Sequence, residues 1–388
     1  MPLINLKFKL DLGEISIFYF VIPIFLLIYS QSAQAVISKA VSHSNPNFTV
    51  EQIAQGLGVP WGMAFLNQRE LIFTEREGAV KILNLDNLKI TTLHGAAEVV
   101  AAGQGGMLDV AKSPSYASRG WLYFTYSKGT DSGVVTTLAR AKRDGNKLAE
   151  WQDLLITDSA TNTGRHFGSR ITFDGKGHVF FGVGDRGERD NAQNLSNHAG
   201  TIMRLKLDGS IPDDNPFLNK KNVLAEIWSY GHRNPQGLLY DPSKGDLWSI
   251  EHGPRGGDEI NLIEKGRNYG WPVISYGKEY WGPVSVGEGT AKVGMEQPVK
   301  VYIPSIAPGS LLMYSGDAFP QWQGNLFSGA LKLRHLNRVS ISPDNKAIAE
   351  ERLLEDLNER IRALAQSPEG WIYFSTDSGK IMRIKPRL

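Results

Sequence analysis

A short unit recurs along this chain, and the recurrence limits the fold more than any other feature. Each copy reads as an apolar strand, a turn rich in Pro, Gly, Asp or Asn, a strand carrying aromatic residues, a polar gap and a third apolar strand. The first copy is Met63–Leu66, Leu71–Thr74 and Val80–Leu83. Its second strand returns at Trp121–Phe124, Val179–Gly182, Leu247–Ile250, Leu326–Gly329 and Ile372–Ser375, at intervals between 46 and 79 residues. A lone meander of such strands cannot bury both of its faces. Small sheets set radially cover one another and leave few free edges, so the six copies predict an all-β, six-bladed β-propeller of four-stranded antiparallel blades. A β-sandwich or two small barrels is the alternative. No fourth strand follows the last third strand, Lys380–Ile384, whereas Phe48–Ala54 is strand-like and precedes the first copy. This N-terminal strand is expected to close the ring by completing the last blade. Only Ala349–Leu357 looks locally helical, and no linker divides residues 36–388.

Lys7 and Lys9 precede the apolar run Ile15–Tyr29, and Ala33-Gln34-Ala35 is a small-x-small cleavage signal. Residues 1–35 therefore read as an export signal, with a retained anchor as the alternative. The expected product is a periplasmic or secreted single domain over 36–388, without stable membrane association. A monomer is favoured because no extra interaction segment is evident. Lys and Arg number 42 against 40 Asp and Glu, a formal charge of +2, which gives no field for nucleic acid. Without cysteine there is no disulfide framework, thiolate nucleophile or Cys-bound metal. Walker A, Gly-x-Ser-x-Gly and His-Glu-x-x-His are also missing.

In a blade, the start of the first strand and the end of the second share one face. The starts carry Gln104, Arg165-His166, His232-Arg233-Asn234 and Arg360-Ile361-Arg362; the second-strand ends carry Asp185-Arg186, Glu251-His252-Gly253-Pro254, Lys332 and Asp377. They predict a bowl gathering up to six cations, Arg165, Arg186, Arg233, Lys332, Arg360 and Arg362, around a ligand with several carboxylates or phosphates. Each residue also has a plainer reading. His166 can be a hydrogen-bonded structural histidine and Asp185 a turn residue. Arg233 and Asn234 can cap a turn before Pro235, and Arg360 and Arg362 can be edge-strand surface charges. Trp271, Tyr276, Tyr280 and Trp281 form either core or a sugar platform, in the longest insertion between blades.

At these positions the chain resembles the soluble quinoprotein sugar dehydrogenases, the glucose/sorbosone dehydrogenase family dependent on pyrroloquinoline quinone (PQQ), especially its aldose sugar dehydrogenase branch. The resemblance runs over residues 48 to 386. It is carried by GVPWGMAFL from Gly58, RHFGSRITFDGKGHVFFGVGDRG from Arg165, WSYGHRNPQGL from Trp228, EHGPRGGDEINLIEKGRNYGWP from Glu251, LKLRHL from Leu331 and ERIRALAQSPEGWIYFSTDSG from Glu359. It implies oxidation of an aldose to its lactone, with electrons passed to an external acceptor. His166 would be the general base as hydride passes to the quinone C5, Asp185 would orient it, and Arg233 would polarise the C5 oxygen. Lys332, Arg360 and Arg362 would bind the PQQ carboxylates, with Gln104 and Asn234 adding neutral hydrogen bonds. Gly253 and Pro254 carbonyls would hold a Ca²⁺ beside the quinone. Glu259 and the Tyr269 carbonyl would hold a second, structural one. A calcium-dependent six-bladed lactonase and a non-catalytic binding propeller are the competing readings; the first needs a carboxylate and amide cluster on the axis, the second loss of the base or the cations.

Overall fold

The structure, a computed structural model, describes residues 41–42 and 48–387; the expected export signal at 1–35 lies outside them. Six antiparallel sheets follow one another along the chain. Blade 1 is Pro60–Phe65, Glu70–Glu75, Val80–Asn84 and Ile90–Leu93, and blade 2 is Met107–Lys112, Trp121–Thr130, Gly133–Asp144 and Lys147–Ile156. Blade 3 is Ile171–Phe173, His178–Val183, Thr201–Lys206 and Ile227–Tyr230, and blade 4 is Pro235–Asp241, Asp246–Glu251, Asp258–Ile263 and Lys300–Tyr302. Blade 5 is Leu312–Met313, Leu326–Ala330, His335–Ile341 and Ala347–Leu353. Blade 6 is Ile361–Gln366, Ile372–Thr376 and Lys380–Pro386, and Phe48–Ala54 pairs with the last of these to supply the fourth strand. The protein is a six-bladed β-propeller closed by its N-terminal strand.

The aromatic strands show why this architecture suits the sequence. Neighbouring residues of a strand face opposite sides. Phe124 thus packs towards blade 1 and Tyr123 towards blade 3, while Phe181 packs towards blade 2 and Phe180 towards blade 4. Both faces of each second strand are covered, so it reads as a continuous apolar run rather than an alternating one. Each of the six blade-to-blade junctions has its own apolar core, including the one where blade 6 meets blade 1 through Tyr373, Phe73 and Phe65.

Three details differ from expectation. Ala347–Leu353 is the outer strand of blade 5, not a helix. It pairs along His335–Ile341, and Glu350 turns inward to Lys300 at 2.6 Å and Asn337 at 2.8 Å, so tertiary partners override helix propensity. Val41–Ser42 adds a short parallel fifth strand to that blade. The insertion containing Trp271 lies inside blade 4, between its third and fourth strands, rather than between blades. Among the described residues no helix is long and apolar enough to cross a membrane.

On the axis, Arg170 joins four blades: it donates to Trp61 O at 2.9 Å, Asp109 at 2.9 Å, Gln236 O at 3.0 Å and Gly309 O at 2.6 Å. Beyond it a cavity of about 520 Å³ opens among the later residues of the first strands. The starts of those strands face the other end, where the polar residues collect.

Candidate active site

His166 precedes the first strand of blade 3 and has φ +55°, a left-handed conformation that costs a non-glycine residue on the order of 1–2 kcal/mol. Its N–H donates to Gln104 Oε1 at 2.8 Å, which ties it to the blade 1–2 connection. Gly184 lets Asp185 come close: a Cβ there would lie 2.6 Å from the His166 carbonyl and 2.8 Å from that of Arg233. Asp185 Oδ1 meets His166 Nδ1 at 2.6 Å and accepts from Gly187 N at 2.7 Å, while its Oδ2 accepts from Trp271 Nε1 at 2.8 Å. With Nδ1 engaged, His166 Nε2 makes no hydrogen bond among the described residues and is not sealed from solvent.

Burial holds the His166 pKa below the ordinary imidazole range; Asp185 opposes this and the Arg233 charge reinforces it. Burial alone would raise the Asp185 pKa, but the His166 hydrogen bond, with the Arg233 charge and Gly187 N–H, brings it below the usual carboxylate value. The pair is thus a neutral imidazole against a carboxylate.

The other residues continue round the bowl in linked steps. Asp185 N donates to the Arg233 carbonyl at 2.9 Å. Arg233 Nη1 donates to the carbonyls of Gly253 at 2.7 Å and His252 at 3.2 Å, leaving its buried Nε without a partner among the described residues. Asn234 Oδ1 accepts from Gly168 N at 3.2 Å. His252 Nε2 donates to Pro308 O at 2.7 Å; burial, reinforced by Arg233, His166 and Arg362, drives its pKa down to about 3. Arg360 donates to the carbonyl of Leu331, next to the exposed Lys332, at 2.8 Å. Arg360 and Arg362 both bind Asp377, at 2.8 and 2.6 Å, and Arg362 lies over the Trp61 ring. Gln104, His166, Asp185, Arg233 and Asn234 are thus joined by short steps, Arg360 and Arg362 form a second group around Asp377, and the Lys332 side chain makes no hydrogen bond or ion pair among the described residues.

Arg186 does not belong to the ligand-facing charge. Fully buried, it donates to the carbonyls of Arg165, Val134 and Thr163 and lies over the Phe167 ring, and desolvation pushes its pKa down to about 10. A cation out of water must find acceptors, and these carbonyls supply them. Asp377 likewise offsets part of the Arg360–Arg362 charge, so the bowl is less cationic than six separate charges would make it.

Gly253, Pro254, Glu259 and Tyr269 line one small cavity of about 20 Å³ with Arg233, Glu251 and Trp271, room for about one water or ion. Glu251 and Glu259 face each other across paired strands, bridged by Asn261 Nδ2 at 3.0 and 3.2 Å. Burial, then the nearby Glu251 charge, pushes the Glu259 carboxyl up to about 8. Among the described residues no three His, Asp or Glu side chains converge as a metal cluster, so a cation here would lean on carbonyl oxygens as well. Sequence reasoning missed Trp271 as a partner of Asp185. The only available signal was that a buried indole N–H needs an acceptor.

A family profile described as Glucose / Sorbosone dehydrogenase matches residues 57–383. This chain belongs to the glucose/sorbosone dehydrogenase family. It is 38% identical over 358 residues to an aldose sugar dehydrogenase of Escherichia coli, covering 90% of this chain and 96% of that one. To quinoprotein glucose dehydrogenase B of Acinetobacter calcoaceticus it is 26% identical, covering 88% of each. Among solved structures, the apo-form of the soluble aldose sugar dehydrogenase of Escherichia coli superposes with a TM-score of 0.85 at 38% identity, covering 88% of this chain and 100% of that one. With these relatives the family member is an oxidoreductase, and the bowl is its candidate active site.

Proposed function

We propose that this protein oxidises aldoses at the anomeric carbon to lactones, using bound PQQ with calcium beside it, and delivers the electrons to an external acceptor outside the cytoplasm. The observation that carries this reading is the His166–Asp185 pair at 2.6 Å, open at Nε2 and joined through the Asp185 N–H to the Arg233 carbonyl, with Arg360 and Arg362 gathered on Asp377. PQQ, when bound, supplies a quinone that accepts the hydride and its two electrons. His166 Nε2 removes the proton of the anomeric hydroxyl, and its lowered pKa keeps it unprotonated at neutral pH. Asp185 holds Nδ1 and stabilises the imidazolium once the proton has moved. Arg233 offers its Nη2 N–H groups, which have no hydrogen bond among the described residues and are not sealed from solvent, where negative charge develops on the acceptor oxygen.

The residues fit both groups. The free Lys332 ammonium and two guanidiniums sharing a single Asp377 carboxylate leave cationic donors for a polycarboxylate. The Acinetobacter relative is a quinoprotein, which supports the same cofactor. For calcium, the fit lies in the Glu251 and Glu259 carboxylates, which face each other with no Lys or Arg ion pair among the described residues, beside carbonyl oxygens in a cavity of ionic size. Bound there it would supply a Lewis acid and structural charge compensation; Gly253 O would share its lone pairs between the ion and Arg233. The test is reconstitution of purified apoprotein with PQQ and Ca²⁺, followed by dye reduction with glucose and other aldoses. Saturable PQQ binding and aldose-dependent reduction are expected. A protein that neither binds PQQ nor turns over any aldose overturns the reading.

A further inference from the structure

Two of the hydrogen bonds to the Asp185 carboxylate are local, from His166 and Gly187; the third, from Trp271 Nε1 at 2.8 Å, comes from 86 residues away. Trp271 is held from several sides. Its N–H donates to Gly231 O at 2.9 Å, its carbonyl accepts from Gln193 at 2.7 Å, and its ring lies near the guanidiniums of Arg233 and Arg189. A buried indole N–H needs an acceptor, but here the acceptor is the carboxylate that orients the proposed base. The geometry points to Trp271 as a positioning residue for the acid–base pair: its Nε1–H pins Asp185 Oδ2, so that Oδ1 stays on His166 Nδ1 and Nε2 stays directed at substrate. This rests on the reading of His166 as the base and deepens it.

The bond acts in two ways. It stops the carboxylate from turning, which fixes the imidazole in one orientation. It also draws negative charge from Asp185, so that the imidazolium is held less tightly than by an otherwise free carboxylate. The charged and titratable groups facing His166 are Asp185, Arg233, Arg165 and His252. None of them lies on the insertion, and Trp271→Phe keeps an aromatic ring beside Arg233 while removing the N–H donor together with part of the indole. A rise in His166 basicity in that variant follows from the lost bond to Asp185, and an unchanged PQQ titration checks that Arg233, which the ring also touches, has kept its place.

Two measurements test this. In enzyme loaded with PQQ and Ca²⁺, Trp271→Phe is expected to lower kcat by roughly tenfold, with sugar KM and the PQQ titration within about twofold of the parent. The base must be neutral, so a raised pKa moves the acid limb of kcat/KM to higher pH, by about half a unit. In cofactor-free protein, the NMR titration midpoint of the His166 imidazole is expected to rise by the same amount. A folded Trp271→Phe protein with unchanged kcat and unchanged His166 midpoint overturns the proposal and leaves Trp271 as packing. If the variant does not fold, the parent decides: the Trp271 indole N–H resonance must shift with the His166 midpoint, and a resonance flat through that range is equally fatal. Activity surviving His166→Gln would instead remove the base assignment, while the cofactor-free titration still judges the Trp271–Asp185–His166 coupling on its own.

Discussion

Blades 3 and 4 each place a histidine ahead of the first strand and a carboxylate 19 residues later at the end of the second. In blade 3 the pair is His166 and Asp185, 2.6 Å apart; in blade 4 it is His232 and Glu251, 3.0 Å apart. The spacing is the same, but His166 alone of the two has a left-handed backbone, and the distal ring nitrogens differ. His232 Nε2 meets Ser229 Oγ at 2.9 Å, its ring stacks on Tyr269, and its side chain has no exposed surface. His166 leaves Nε2 open to the bowl. Glu251 is further occupied by Arg233 N and Asn261, which secures the arm carrying Arg233. One pair is thus available for proton transfer and the other is spent on holding structure, and what separates them is the Ser229 bond and the complete burial of the second ring.

Swapping each histidine for glutamine is the strongest way to break this contrast. His166→Gln is expected to lower turnover by about 10³-fold while leaving PQQ binding within a few-fold. His232→Gln is expected to cost about 1–3 kcal/mol of stability by disrupting buried hydrogen bonds, read as a lower Tm, with turnover per folded molecule within several-fold. Equal kinetic losses in two equally stable variants would abolish the distinction. A smaller effect sharpens the separation of chemistry from cofactor retention: Lys332→Ala is expected to weaken the PQQ titration about tenfold with little change in kcat at saturation. An unaltered titration removes Lys332 from the cofactor contacts.

The smallest effect concerns a buried histidine with no hydrogen bond to a carboxylate among the described residues. Burial drives His335 down to about 4 from 6.5, its Nδ1 facing only the Leu333 carbonyl at 3.2 Å. Its folded pKa is depressed, so below 6.5 the unfolded chain takes up a proton that the native protein refuses. Stability therefore falls with pH through this window, by about 1 kcal/mol for the first unit, and the loss levels off below about 4. Denaturant titrations of the parent and His335→Phe at several pH values check it; parallel curves would contradict it.

Much of this was legible beforehand. The aromatic strands were readable because a sheet buried on both faces must be apolar along its whole length, and the bowl residues because propeller geometry sends strand ends to one place. Ala347–Leu353 was not, since its composition suits a helix and only the partner strand and Lys300 decide otherwise. Nor could charge type tell Arg186 from Arg362. The two are alike in sequence, but one is absorbed by backbone carbonyls while the other shares Asp377 beneath the bowl.

The chain by itself determined the number of blades, the closing strand and the set of polar residues delivered to one end, because these follow from periodicity and strand direction. Tertiary structure alone decided which of those residues keep a free hydrogen-bonding atom. That depends on contacts between distant segments, such as Trp271 on Asp185 and Ser229 on His232, and on how far each group is withdrawn from water.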